Sequence, residues 1–515
     1  MAFLTRHVLL SLGVAVFVGG ILSVVPQASM DIYIWFKGVA NAATYIAGTF
    51  GETGNLQLLA IFPAIFSMIA IIVASGGFLG VINWLLRWVK GRKSAQAMTA
   101  FVGVLCFIDD YTNTMIVGSM MRPVTDRFRV SREKLAFLVD ATSAPISGLA
   151  VISTWIAYEV GLFSQVSAKL NLGIDGYSMF FDAVVYQYYC ILMIVFVFVL
   201  IFVGRDFGPM KVAEKRAQSE TPPEGDDKAV HGGNSDSAMK DIHSPTPHAV
   251  NAIVPLAGLI LFHFVGLWID GGGLAKLRAG GSLSDWLYWR DVISSAGNST
   301  LVLLFASLFG LGLVIACGRL VGGLSLSVMG RCFGEGLKKS LLMSVILVMA
   351  WSLKNCCNDL GTDEFLGAFL ARSVSPRWFP AIVFIVASLT SFATGTSWGT
   401  MAILIPTAVP VAYVLEGGSY GIITMITMGA ILDGAIFGDH CSPISDTTII
   451  SSLSSSCDLL QHVRTQLPYS LVVAAFALIC GYIPSSFGLG RVWNITLAVV
   501  IMGTFFIILA RRKEI

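Results

Sequence analysis

Along this chain, apolar runs of membrane-crossing length are separated by polar interruptions of two sorts. The runs lie near residues 8–25, 56–74, 183–203, 250–268, 297–317, 340–357, 468–485 and 491–510. A helix needs roughly 20 such residues to span a bilayer. Strand-sized alternation of apolar and polar positions is missing, so the runs read as helices and not as strands of a barrel. The first sort of interruption is a hydrophilic stretch from Lys211 to His248, ending ETPPEGDDKAVHGGNSDSAMKDIHSPTPH. Such a composition cannot bury enough apolar surface to order itself. It predicts a flexible linker over 205–248, joining an N-terminal transmembrane unit, 1–204, to a C-terminal one, 249–515.

The second sort is polar and sits inside apolar sequence. Gly438 to Ser456 reads GDHCSPISDTTIISSLSSS, and Ala141 to Thr154 reads ATSAPISGLAVIST. Ala144-Pro145-Ile146-Ser147-Gly148 therefore echoes Ser442-Pro443-Ile444-Ser445-Asp446, with one copy in each half. Proline removes a backbone donor and leaves carbonyls free. At membrane depth such backbone is tolerated only where protein buries it or where it lines a cavity. Paired breaks of this kind point to the binding site of a secondary transporter.

Composition agrees with a membrane setting. The chain is 55% hydrophobic and only 12% charged, against about 25% charged in soluble domains. The net charge of +2 gives no sign of a nucleic-acid partner; the bilayer is the partner expected. The nine cysteines are scattered, without metal-ligand spacing, and read as small buried hydrophobes. Arg6 and His7 precede the first apolar run, and no small-x-small cleavage site follows, so that run reads as a first transmembrane helix.

The placement of the basic residues gives an orientation. Arg6, Arg87 to Lys93, Arg122 to Lys134, Arg205 to Arg216, Arg319, Arg331, Lys338-Lys339 and Arg511-Arg512-Lys513 mark one side, cytoplasmic by the positive-inside rule. Both termini then lie in the cytoplasm. Residues 94–121 begin and end on that side, which predicts a re-entrant hairpin with its turn near Asp109 to Thr114. Residues 379–414 begin and end on the other side, with a turn near Thr394 to Gly399. Each hairpin leads into one of the Pro-Ile-Ser breaks. The fold expected is thus an all-α polytopic membrane protein of two inverted-topology repeats, each with a re-entrant helical hairpin and a broken transmembrane helix.

Tips and breaks supply the candidate chemistry. Adjacent carboxylates in apolar sequence are costly unless they hold a cation, a proton or a salt bridge. Asp109 and Asp110 cannot face the same way on a helix, so one suits an ion and the other caps the returning helix or pairs locally. In the second break, Asp439 and Asp446 are the leading cation or proton carriers. Asp110 comes next, with Asp109, Asp433 and Asp140 after it. Neutral oxygens are offered by Thr112, Asn113, Ser147, Thr396, Ser397, Ser445 and Thr447. His440 is either a proton shuttle or a packed, hydrogen-bonded histidine. Gly395-Thr396-Ser397-Trp398-Gly399 matches the nucleophile elbow of hydrolases, but that motif needs a strand before it, and both flanks here are membrane-type helices. No P-loop or dinucleotide-binding context exists. An enzyme is not expected, nor a cofactor or a transition-metal site.

These residues carry a resemblance. GAIFGDHCSPISDTTIISS is similar to the signature of the NhaC-type sodium/proton antiporter family, within the larger ion-transporter superfamily. FIDDYTNTMIVGSMMRPVTDRF and ATSAPISGLAVISTWIAYE resemble that family as well. The likeness covers most of the chain outside 205–248 and 269–296. It implies a multi-pass protein of the inner or plasma membrane, exchanging Na⁺ for H⁺ by alternating access, in an elevator-like manner, around a midplane site. A homodimer is compatible with the resemblance. The nearest alternative is a sodium-coupled carrier of a small organic acid or amino acid.

Overall fold

The computed structural model describes residues 8–24, 32–219, 246–285, 298–361 and 375–511, with a few positions between 286 and 297. The predicted linker largely falls outside these, as do the ends of the chain. Among the described residues the regular structure is helical, with no strand. Eight helices among the described residues are long and apolar enough to cross a membrane by length and composition, or nine if one bent pair is counted as a span.

The first half runs α1 (Val8–Leu22), α2 (Ile32–Thr49), α3 (Thr53–Ala74), α4 (Gly77–Leu86), α5 (Arg92–Leu105), α6 (Asp110–Arg127), α7 (Arg132–Ala141), α8 (Ala144–Ser147), α9 (Thr154–Leu170), α10 (Gly176–Val184), α11 (Tyr188–Val203) and α12 (Gly208–Ser219). The second half runs α13 (Val250–Asp270), α14 (Gly273–Arg278), α15 (Ser299–Leu320), α16 (Leu326–Asp359), α17 (Phe379–Thr394), α18 (Ser397–Leu415), α19 (Ile422–Cys441), α20 (Asp446–Ser454), α21 (Leu459–Phe476), α22 (Ile483–Ser486) and α23 (Arg491–Arg511). Helices α3, α15 and α16 pack together with α1, α2 and α13, forming one group. The other gathers α5 to α8, α11, α12, α17 and α19 to α22. Helices α9 and α18 run between them: α9 touches α3, α16 and α18.

Two helical hairpins stand where the sequence placed them. Helices α5 and α6 pack on one another, as do α17 and α18. At about 1.5 Å per residue, arms of 14 to 19 residues extend roughly 21–28 Å, enough to carry each tip deep into a bilayer. The first turn lies at 106–109, just before the predicted 109–114, because helix resumes at Asp110. The second turn is Gly395-Thr396. Gly395 has φ +67, and an added Cβ would sit 2.7 Å from the Ile444 carbonyl oxygen, so a side chain is excluded twice over. Both breaks are present too: 142–143 and 148–153 flank α8, and 442–445 separates α19 from α20.

Three expectations need correction. The span placed at 340–357 is the end of a helix that starts at Leu326. The run placed at 468–485 starts at Leu459 and passes through a π-helical stretch, Ala477–Tyr482. Part of the linker, 208–219, is ordered as α12. Met210 and Ala213 are buried there, one turn apart, and Glu214 pairs with Arg92 while accepting from the Ser131 amide at 2.7 Å. Averaging over the whole stretch hides this short amphipathic turn behind Pro and Gly further on.

Three of the basic stretches used for orientation meet at this end. Lys134 (side chain 1% exposed) pairs with Asp206 at 2.6 Å, and Tyr469 donates to the same oxygen at 2.6 Å. Arg216 pairs with Glu133. Burial pushes the Asp206 carboxyl up, but Lys134 and Tyr469 outweigh it and hold it below its ordinary value. A depressed carboxyl stabilises the fold above its unfolded value and loses that contribution as pH falls through the folded one. The loss is therefore expected below about pH 4. Asp206→Asn, which strands Lys134, should cost about 3 kcal/mol, read as a lower melting temperature at pH 7 and a flatter dependence on acid than the parent.

A candidate cation and proton site

The two breaks and the two tips converge, and they do so crosswise. Tyr111, at the first tip, donates to Asp446 at the second break, 3.3 Å away. Asp110 lies within electrostatic range of Asp109 and Asp439. Tyr158 on α9 donates to the Trp398 carbonyl at the second tip, at 2.7 Å. Asn113 ties the first hairpin to the first break, its amide donating to the Gly103 carbonyl at 2.7 Å and the Thr142 carbonyl at 2.8 Å. Close packing of α17 on α19 holds the second tip: a Cβ added at Gly438 would lie 2.2 Å from the Ser388 carbonyl oxygen.

Asp439 occupies the centre. It lies in the last turn of α19, is buried, and accepts from the Thr447 hydroxyl at 3.3 Å, while Thr448 donates to its carbonyl at 3.3 Å. Ser445 and Thr447 hydroxyls lie 3.0 Å apart, and Ser445 and Ser397 stand beside the carboxylate. Its Oδ1 has no hydrogen-bond partner among the described residues. Asp110 Oδ1, Asn113 Oδ1 and Ser147 Oγ share that condition. Buried oxygens are nearly always paired, so these four stand out as unsatisfied.

The other predicted residues divide by their partners. Asp446 is exposed and open apart from Tyr111. Asp109 accepts from the Thr154 hydroxyl at 3.2 Å, so it is engaged while Asp110 keeps an unpartnered oxygen. Thr396 caps α18, accepting from the Gly399 amide at 3.3 Å, and Ser397 donates to the Ala435 carbonyl at 3.2 Å. The Thr112 side chain lies outside the described residues. Asp433 is committed elsewhere. It accepts from the Tyr189 amide at 2.5 Å, the Cys190 amide at 3.2 Å and the Tyr482 hydroxyl. It thus caps α11 from a neighbouring helix, at the 48° bend between α10 and α11. Asp433→Ala orphans two amides and a phenol, and should lower stability by about 3 kcal/mol; a melting curve checks it.

Asp140 heads a buried polar cluster that sequence reading only half finds. It accepts from Gln466 at 2.6 Å and His462 at 3.2 Å, and its Oδ2 lies 3.8 Å from His440 Nε2. His440 Nδ1 is 2.8 Å from the Tyr189 hydroxyl, and its carbonyl accepts from Gln466. His440 Nε2 and His462 Nδ1 carry no hydrogen bond. His462 and Gln466 were missed because they precede the apolar run assigned to that helix; their i, i+4 spacing was the available signal. A cavity of about 540 Å³ lined by Gln57, Ser164, Ser167, Asn171, Asp175 and Thr300 is lined by none of the candidate residues. No group of three or more His, Cys, Asp or Glu side chains among the described residues is placed so as to hold a metal ion.

Comparison with known proteins gives a consistent picture. The model of the Na⁺/H⁺ antiporter family matches residues 148–483. An uncharacterised Haemophilus influenzae protein is 30% identical over 488 residues, covering 95% of this chain and 89% of that one. The malate-2H⁺/Na⁺-lactate antiporter of Bacillus subtilis is 35% identical over 137 residues, 27% of this chain and 28% of its own. The Na⁺/H⁺ antiporter NhaC of Alkalihalophilus pseudofirmus is 28% identical over 152 residues, 28% and 30%. Among solved structures, Neisseria gonorrhoeae MtrF, from a class of antimetabolite efflux pumps, superposes with TM-score 0.61 at 15% identity, covering 94% of this chain and 96% of that one. The fold is that of membrane transporters.

Proposed function

The chain belongs to the Na⁺/H⁺ antiporter family, and from that premise we propose that this secondary transporter exchanges Na⁺ for H⁺ at the junction of tips and breaks. The observation that carries the reading is Asp439: a buried carboxylate at a broken helix, one oxygen unpartnered, within electrostatic range of Asp110 from the other half. An uncompensated charge at that depth is expensive, so the carboxylate holds either a proton or a cation. Sodium entering displaces the proton, and a proton entering displaces sodium. Ser397, Ser445, Thr447, Ser147 and the free Asn113 carbonyl supply neutral oxygens to the cation. Asp446, open beside Tyr111, receives ions on entry. His440, next to Asp439 in the chain and with Nε2 3.8 Å from the Asp140 carboxylate, passes the proton on. Alternating access follows if the hairpins and breaks shift against the α3, α15 and α16 group, in an elevator-like manner, with the two halves in opposite orientations in the inner or plasma membrane.

The test uses purified protein in sealed liposomes holding a pH-sensitive dye under an imposed pH gradient. Sodium added outside should dissipate the gradient, and potassium should not. No response to sodium sinks the antiport reading. A second reading, sodium-coupled exchange of a small organic acid, is favoured by the Bacillus subtilis relative's malate and lactate. It predicts that sodium moves protons only when such an acid is also present.

A further inference from the structure

Acidic side chains buried in the membrane part of this protein fall into two classes. Asp433 and Asp140 are held by fixed donors. Three others, Asp110, Asp439 and Glu159, keep buried carboxylate oxygens without a hydrogen-bond partner among the described residues. Glu159 goes furthest, because both of its oxygens lack one and its exposure is 0%. No lysine, arginine or histidine of the described residues pairs with it. The titratable groups that sense it are Tyr158 on its own helix and Cys190 at the start of α11.

Its place in the fold matters as much as its isolation. On α9 it follows Trp155 by four residues, so the two share a face at about 5–6 Å between Cβ atoms. Trp155 lies beside Asp110 and stacks edge-on with Trp398 of the second tip, ring centroids 5.8 Å apart. The indole nitrogen of Trp398 is also buried without a partner among the described residues. Glu159 is thus one helical turn behind the aromatic pair that backs the central site. A structural acid in a core is held by donors, as Asp433 is. One that keeps both oxygens free is available to take up and release a ligand, and a lone carboxylate is sufficient for a proton, whereas a hard cation needs several further oxygens around it.

We propose that Glu159 is a second proton-carrying carboxylate of the transport cycle, distinct from the Asp439 site, so that each cycle moves one proton beyond those the central site exchanges. The step is protonation of the carboxylate when the site faces one side and release of the same proton when it faces the other. This rests on the antiport reading above and extends it to stoichiometry.

The experiment is a balance-point measurement in liposomes with the membrane potential clamped. The sodium gradient that just halts proton flow is read at several pH gradients, and its slope gives protons per sodium ion. Glu159→Gln should still transport, with a smaller slope than the parent, while Glu159→Asp should keep the parent slope. An unchanged slope in Glu159→Gln overturns the proposal, as does a normal slope with weakened half-saturation for sodium, which would make Glu159 a cation ligand. Should Glu159→Gln fail to fold, infrared difference spectra of the parent with isotopically labelled glutamate decide. A labelled protonated-carboxyl band that responds to sodium or pH in the parent and is missing from Glu159→Asp supports the assignment, and the lack of such a band overturns it. A parent that moves no protons against sodium overturns the antiport reading itself, and this one with it.

Discussion

Asp439→Asn should reduce sodium-driven proton movement to the level of empty liposomes while leaving the melting temperature within a few degrees of the parent. The amide has the shape of the carboxylate and can still accept from Thr447, so the break keeps its geometry. It carries no charge and does not exchange a proton, so neither half of the exchange can occur. Melting and transport must be read together, because Asp433→Ala should show the opposite pattern in origin: lost transport that tracks lost stability. Transport at the parent rate in Asp439→Asn moves the exchange site elsewhere, with Asp446 and Asp110 the next carboxylates to replace.

The second large effect is steric. Gly438→Ala places a methyl 2.2 Å from the Ser388 carbonyl oxygen and 2.7 Å from the Phe392 amide nitrogen. Both are backbone of α17, so no rotamer relieves the overlap and the two helices must part. Overpacking of this kind costs about 1–3 kcal/mol, and the upper end is expected because Gly434, one turn earlier, meets the same helix at 2.6 Å. Parting α17 from α19 also lifts Ser397 off the Ala435 carbonyl and away from Asp439, so transport should fall with stability. Gly312→Ala in α15 is the control. An added Cβ there meets nothing within 4 Å, and an interior helical glycine replaced by alanine gains up to about 1 kcal/mol. A Gly438→Ala variant as stable as the parent would remove the close-packing account.

Much of the architecture was legible because membrane burial writes itself into composition. A proline with serines on either side, inside apolar sequence, has few explanations, and both breaks and both hairpins were visible for that reason. The separation of roles among the acids was not. Asp433 and Asp439 are six residues apart on one helix, equally apolar in surroundings. Only the fold shows that two amides of α11 and the Tyr482 hydroxyl hold the former. Glu159 stood in the stretch that resembles the family, yet nothing local distinguishes a glutamate facing solvent from one with both oxygens enclosed. Helix α12 was hidden by the linker composition that follows it. His462 and Gln466 were hidden by the apolar run that follows them.

The crosswise bonding has a consequence for how the protein is made. Asp140 is hydrogen-bonded by His462 and Gln466, which lie 322 and 326 residues further along the chain. At about 5–20 residues per second, roughly 15–60 s pass before those partners leave the ribosome. Throughout that interval the nascent first half holds an aspartate at a helix end with no donor to meet it. That half is therefore expected to stay loosely inserted, its break still wetted, until α21 arrives to seal it. A nascent chain stalled after the linker should accordingly be a good client for membrane quality control, and the same residues should become protected once the last third has been threaded in.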